Sequence, residues 1–266
     1  MCWYKLVFKQ KQPIHIGKFE WGVVSETEIF IPGWTMWGAL VNAYIIKNKA
    51  KDKNEIQKIQ KDFETITNFF PSFDGETVLE PKYKDGKFYL EDYSEEEFRY
   101  KYVKADFKTA VEPISRKAKD EHLYEFEYII PEFYWIGLIK IENEEIKNFF
   151  EGKKLEIFIG GDTKYGYGLL KLEDSKEAKN EDLENWNLSN GGKPNNKTLK
   201  NFLEFETNIK FEGELKLIPE LDFRQNTPVL TDARYFINVG STVDSSINIS
   251  SYKLYKGKFI KNANSP

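Results

Sequence analysis

One cysteine and two histidines are all that this chain of 266 residues has of the residue types that most often bind zinc. Cys2 alone cannot close an internal disulfide, and a single thiol suits a reducing cytoplasm. With only His15 and His122, and with neither CxxC nor HExxH, no zinc site is expected. No GxxxxGK[ST] loop and no GxSxG elbow occurs, so P-loop nucleotide hydrolysis and serine-type α/β hydrolysis lack their visible parts. No cofactor is expected. No apolar run approaches the roughly 18–20 residues of a membrane span. The start, MCWYKLVFKQ, has no signal-type apolar region and reads as a strand, so no membrane association is expected. Positive charge is not in excess either. Lys and Arg number 39 against 43 Asp and Glu, a net charge of -4. That argues against a stand-alone nucleic-acid binder, but not against a local basic strip or an affinity shared with partner subunits.

Apolar and aromatic residues are plentiful. Hydrophobic residues make up 40% of the chain and aromatics 16%, enough for one large domain or two small ones. WYKLVFK (3–9) reads as a strand, and PIHI (13–16) continues it or begins the next. IPGWTMWGALVNAYIIK reads as a turn and a helix, with Thr35 as N-cap and Met36, Leu40, Ala43 and Tyr44 or Ile46 as its apolar stripe. Ile56, Ile59, Phe63, Ile66 and Phe70 predict a second helix over 54–70, capped by Asn54. Residues 77–91 predict a hairpin closed at Asp85-Gly86. Residues 122–141 hold two β-runs broken near Pro131-Glu132. A short helix (143–152) ended by Gly152, a strand (154–159), a glycine loop and a strand (167–173) follow.

Stripped of insertions, residues 1–173 run β-α-β-β-α-β. That is the ferredoxin-like order, shared with RNA-recognition modules. The fold class is therefore α+β: a ferredoxin-like N-terminal domain with helical and hairpin insertions, plus a smaller β-rich C-terminal unit. Residues 174–197 read as a linker or long surface loop, 198–261 as the β-rich unit, and 262–266 as a tail.

Three stretches could carry chemistry. The first is GGDTKYGYG (160–168). Gly160, Gly161, Gly166 and Gly168 permit positive φ and close approach to a ligand. Free amides there could cup phosphate oxygens, Lys164 could neutralise one, and Tyr165 or Tyr167 could stack on a base. The same pattern also fits an ordinary glycine-rich hairpin. The second is IPGWTMWGAL (31–40), where a helix N-terminus flanked by Trp34 and Trp37 could attract an anion, or where two indoles simply pack a helix on a sheet. The third is the basic run Arg116, Lys117 and Lys119, which also reads as a solvated loop.

Taken in order, HIG…IPGWTMWGAL, TAVEPISRKAKDEHLYEFEYI and IGGDTKYGYGLLKLE resemble the RAMP superfamily of CRISPR-associated proteins over about residues 4–173. Members of that family typically show a strand ending in hiG, an IPG helix start, a segment ending in a LfeyE-like strand, and a GG…GxG loop. The resemblance implies a ferredoxin-like fold and work on CRISPR RNA inside a multisubunit complex.

It leaves three roles. A processing endoribonuclease usually has its histidine in the helix after IPG, where this chain has none, although His15 and His122 lie at strand ends. A repeated backbone subunit usually carries a cutting aspartate between HIG and IPG. Here KFEWGVVSETEIF offers Glu20, Glu26 and Glu28 but no Asp. A subunit capping the 5′ tag of the CRISPR RNA needs no catalytic group and has this layout, with a mid-chain glycine loop and a β-rich second unit. The preferred expectation is this last, non-catalytic type III subunit, with CRISPR RNA, other RAMP subunits and the large signalling subunit as partners. Its RNA-binding residues would be Gly160, Gly161, Lys164, Tyr165, Gly166, Tyr167 and Gly168, with Arg116, Lys117 and Lys119 as a basic finger. His15 and Lys18 would lie at the strand rim, and Thr35 and Trp37 at the helix N-terminus. Read alone, His15 is structural, since its neighbours are apolar. A protein–protein scaffold with little RNA contact is the alternative of a different class, and aromatic runs such as PEFYWIG (131–137) favour it.

Overall fold

A computed structural model describes residues 2–151, 155–188, 198–222, 227–244 and 252–261, with the side chains of 19–21 and 118–122 outside that description. The expected tail 262–266, all of NGGKPNN, and the Gly152 stop signal also lie outside it. Strand β1 (Cys2–Gln10) leads to the short strands β2 (Gly17–Trp21) and β3 (Val24–Thr27). Helices α1 (Gly33–Asn48) and α2 (Lys53–Asp62) precede β4 (Phe70–Ser72). A three-stranded sheet of β5 (Pro81–Lys84), β6 (Lys87–Leu90) and β7 (Tyr93–Ser94) leads into α3 (Glu95–Tyr102). A long hairpin, β8 (Val103–Val111) and β9 (Ala118–Ile129), comes next. Then come β10 (Tyr134–Ile141), α4 (Glu144–Phe150), β11 (Glu156–Phe158), β12 (Leu169–Glu177) and α5 (Asn180–Asn185). The C-terminal part holds β13 (Phe202–Glu204), β14 (Phe211–Glu212), β15 (Leu215–Asp222), β16 (Val229–Ile237), β17 (Thr242–Val243), β18 (Tyr252–Tyr255) and β19 (Lys258–Lys261).

The main sheet has the order β11-β12-β1-β10-β4, and every neighbouring pair in it is antiparallel. β1 lies in its middle, with Leu6 and Phe8 fully buried, and Trp135 and Ile136 of β10 equally so. Each such side chain contributes about 1.5–3 kcal/mol of burial. α1 turns Met36, Leu40 and Tyr44 inward, and Tyr44 meets Phe149 of α4 and Phe63 after α2 edge-on, with ring centroids 5.1 and 5.5 Å apart. Helix starts and turns follow local chemistry where side chains can reach. Ser94 and Glu97 form a reciprocal capping box on α3, Asn143 caps α4, and Asp85-Gly86 close the β5–β6 hairpin with φ of 52° and 73°.

Four expectations fail for physical reasons. Thr35 is not a cap: α1 begins at Gly33 behind Pro32, and the Gly33 N–H donates to Asn68 Oδ1 at 2.8 Å. The second helix starts one residue earlier, with Asp52 rather than Asn54 as its cap, and stops at Asp62. Ile66, Phe69 and Phe70 fit helical spacing but pair with Ile139, Ile31 and Ile136 in sheet geometry. PIHI is no strand of its own; Ile14 makes a single bridge to Ile129. Residues 174–185 are not a linker, because they finish β12 and form α5, after which Trp186 is buried against Phe70.

The C-terminal sheet has the order β15-β16-β13-β19-β18. One side holds a small core of Leu199, Leu203, Ile209, Ile237, Val243, Leu254 and Phe259. Phe202, Ile218, Phe236 and Val239 instead join the core of the main sheet. No helix of the described residues is long and apolar enough to cross a membrane.

Candidate nucleic-acid interface

The glycine loop joins β11 to β12 and is folded onto the segment that follows β1. Gly160, Gly166 and Gly168 have φ of 77°, 89° and 89°, a region that L side chains avoid. The Gly161 N–H donates to His15 O at 3.0 Å and the Gly168 N–H to Pro13 O at 2.8 Å. A Cβ at Gly160 would lie 2.0 Å from His15 O. Two of the glycine amides are therefore spent on the protein's own chain, and the glycines admit backbone packing rather than leaving those amides open to a phosphate. What the loop presents outward is a single 3₁₀ turn, Thr163–Tyr165, with Lys164 and Tyr165 exposed, the latter by 79%.

The floor of the loop is the β8–β9 hairpin. Register places Lys104, Asp106 and Lys108 opposite Tyr128, Phe126 and Tyr124 on one face. Tyr167 lies edge-on over that face, 5.4 Å from Phe126 and 5.6 Å from Tyr128 between ring centroids. The Lys108 ammonium sits 3.6 Å from the Phe126 ring centroid and 4.1 Å from that of Tyr167, and pairs with Asp162 at 2.5 Å. Tyr167 Oη donates to Asp106 Oδ2 at 3.2 Å. Burial and that carboxylate push its pKa up to about 12, so it stays a neutral donor.

His15 stacks on Phe126 with 4.1 Å between ring centroids, and its Nδ1 lies 2.8 Å from Glu127 O. Burial holds its pKa below the ordinary 6.5, against the opposing pull of the Glu127 carbonyl. An unfolded chain binds a proton near 6.5 that the folded imidazole refuses, so stability falls as pH drops below that value. Melting scans at pH 8 and pH 5 should show a smaller loss for His15→Gln than for the parent. Equal losses would show that another group sets the acid limb.

The remaining expected residues scatter. Arg116 and Lys117 are exposed in the turn at the far end of the hairpin, where Glu112 N–H donates to Lys117 O at 3.0 Å. Lys119 lies on the β9 backbone, its side chain outside the described residues, as is that of His122. Lys18 is not free for a ligand: it pairs with Glu26 and Glu95 at 2.9 Å each, beside Arg99, which reaches Glu26, Glu95 and Glu127. Burial works to lower its pKa, but the two carboxylates outweigh that and hold it raised. Thr35 and Trp37 lie on α1. Trp37 Nε1 donates to Gln60 O at 2.9 Å, and the Lys256 ammonium stands 3.4 Å above its ring. Of the three glutamates between HIG and IPG, Glu26 and Glu28 are held in ion pairs, Glu28 with Lys216, and the Glu20 side chain is outside the description.

The sequence reading missed Lys108, Asp106, Asp162, Phe126 and Tyr128. Period-two alternation in KADFK and YEFEY was the available signal, since it puts these charges and rings on one face of a hairpin.

A family model described as the RAMP superfamily matches residues 8–171. No curated protein matches the chain. Among solved structures it is similar to a chain of the Type III-B Cmr-beta bound to cognate target RNA. The TM-score is 0.63 and the identity 13%, over 92% of this chain and 88% of that one. A chain of the same assembly bound to cognate target RNA and AMPPnP gives 0.59 and 14%, over 92% and 87%. At such identities the likeness is one of fold.

Proposed function

The chain belongs to the RAMP superfamily, and from that premise we propose that it is a non-catalytic CRISPR RNA-binding subunit of a type III effector complex, with other RAMP subunits and the large signalling subunit as partners. The observation that carries this reading is the loop-and-hairpin surface. Exposed Lys164 and Tyr165 stand beside a hairpin face that presents exposed Lys104 and Tyr124, with Arg116 and Lys117 at the hairpin end. Cations for phosphates next to rings for bases are what single-stranded RNA needs. The sheet order β12-β1-β10-β4, with α1 between β1 and β4 and α4 between β10 and β11, supports reading 1–173 as a ferredoxin-like unit. Residues 198–261 are then a smaller β-rich second unit. The fold likeness to a chain of a type III-B assembly bound to target RNA supports the same placement.

Co-expression with its genomic neighbours, followed by sequencing of bound RNA, should recover a discrete CRISPR RNA with a constant 5′ tag. Lys164→Ala should flatten the log–log salt dependence of RNA binding by about 0.7–1, one phosphate's share. An unchanged slope removes Lys164 from the interface.

One observation favours a scaffold as the second reading. Paired positions Leu217 and Tyr235, and Leu221 and Leu230, expose an apolar face on the β15–β16 ribbon, each of the four between 44% and 58% exposed. Copurifying subunits without any RNA would select that reading.

A further inference from the structure

We propose that the lysine-rich segment spanning the end of α1 and the body of α2 is a second, sequence-independent contact for a nucleic-acid backbone, separate from the glycine loop. Residues 47–61 read KNKAKDKNEIQKIQK, six lysines against two carboxylates in a chain of net charge -4. All six lysines are exposed. Several lysines elsewhere are neutralised: Lys18, Lys108, Lys200, Lys216 and Lys258 each hold a carboxylate. Among the described residues, none of these six does. Of the two carboxylates, Asp52 is spent on the cap of α2, accepting from Asn54 N at 2.9 Å and Glu55 N at 3.1 Å.

Local stability does not account for these lysines. Lys51 and Lys53 flank the N-terminus of α2, the positive end of the helix dipole, where a cation is unfavourable. Lys49 ends α1 in the left-handed conformation at φ 54°, a position that glycine fills at less cost. Lys47 and Lys61 have a bland explanation, since cations suit the last turn of a helix. Lys49, Lys51 and Lys53 have none, and together with Lys58 on the exposed face of α2 they gather positive potential on one stretch of surface. Ammonium groups act on phosphates as point charges and carry no base reading. The ligand class is therefore a nucleic-acid backbone contacted at several phosphates.

The test is a full-length variant carrying Lys51→Gln, Lys53→Gln and Lys58→Gln, titrated with a 30-nucleotide uridine-rich RNA and a DNA of equal length at several salt concentrations. Three lost phosphate contacts should flatten the salt slope by about 2, weaken RNA binding roughly tenfold or more at low salt by the same counterion release, and affect DNA alike. The melting temperature should hold or rise. An unchanged slope with an unchanged fold overturns the proposal and leaves the patch to an acidic protein or to solvent. Losses on RNA but not on DNA overturn it too, since a backbone contact does not read the sugar. Lys164→Ala, measured in parallel, keeps the two sites distinguishable: that variant can fail to change binding while the lysine variant succeeds, and the reverse.

Discussion

Gly160→Ala is expected to destabilise the chain by about 2–5 kcal/mol and, on the proposed RNA-binding reading, to abolish RNA binding by the loop. Two costs add at this position. A left-handed φ of 77° costs an L residue about 1–2 kcal/mol. A methyl placed 2.0 Å from His15 O meets backbone, which cannot rotate away, so either the loop or the His15 segment must move. Overpacking of that kind costs about 1–3 kcal/mol. Movement also breaks what the loop organises: the Gly161–His15 hydrogen bond, the Lys108–Asp162 ion pair, and the seat of Tyr167 on Phe126. At about 2–4 °C per kcal/mol for a chain of this size, the melting temperature should fall by about 5–15 °C.

Gly166→Ala is the control. Its φ is 89°, yet nothing lies within 4 Å of a Cβ there. It should lose only the conformational part, about 1–2 kcal/mol, and keep its salt-dependent RNA binding. If both variants melt together, the close approach to His15 is not what requires glycine at 160.

That contrast shows how far residues alone can take the reading. The glycine loop, the Asp85-Gly86 turn and the first strand were legible because their signals are local: positive-φ residues, and a short run of aromatic and branched apolar residues. Partners distant in sequence were not legible. Ile66 and Phe70 fit a helix stripe as well as a strand, and only pairing with Ile139 and Ile136 decides between them. Trp186 lies in a polar stretch that reads as a linker, yet Phe70 supplies it with a burial site 116 positions earlier in the chain. For the candidate interface, glycine spacing marked the place but not its floor. Lys108 looked like one charge among many until the hairpin register set it between two rings.

The start of α1 is the sharpest such case, and it leads to the other large effect. Asn68→Leu should cost on the order of 2–6 kcal/mol, since each buried group stripped of its partner forfeits about 1–3 kcal/mol. Asn68 is fully buried. Its Oδ1 accepts from Gly33 N at 2.8 Å, and its Nδ2 donates to Lys200 O at 2.9 Å and Gly257 O at 3.2 Å. Leucine fills the space but strips the Gly33 N–H and Lys200 O of these bonds, while Gly257 O keeps the Phe202 N–H at 3.0 Å. Against a typical total of about 5–15 kcal/mol, that is a large share. Thr35→Ala, at the position where sequence places the cap, should cost far less, because its side chain caps nothing. The location of the damage is as informative as its size. Gly33 starts the helix behind the main sheet, whereas Lys200 and Gly257 border the C-terminal sheet, which also lends Phe202 and Phe236 to the larger core. The parent should therefore unfold in one cooperative step. Asn68→Leu should unfold in two, with hydrogen exchange opening residues 199–204 and 252–261 before β1 and β10. A single transition within about 2 °C of the parent's would mean that the shared apolar core alone joins the two sheets, and that the amide network is dispensable.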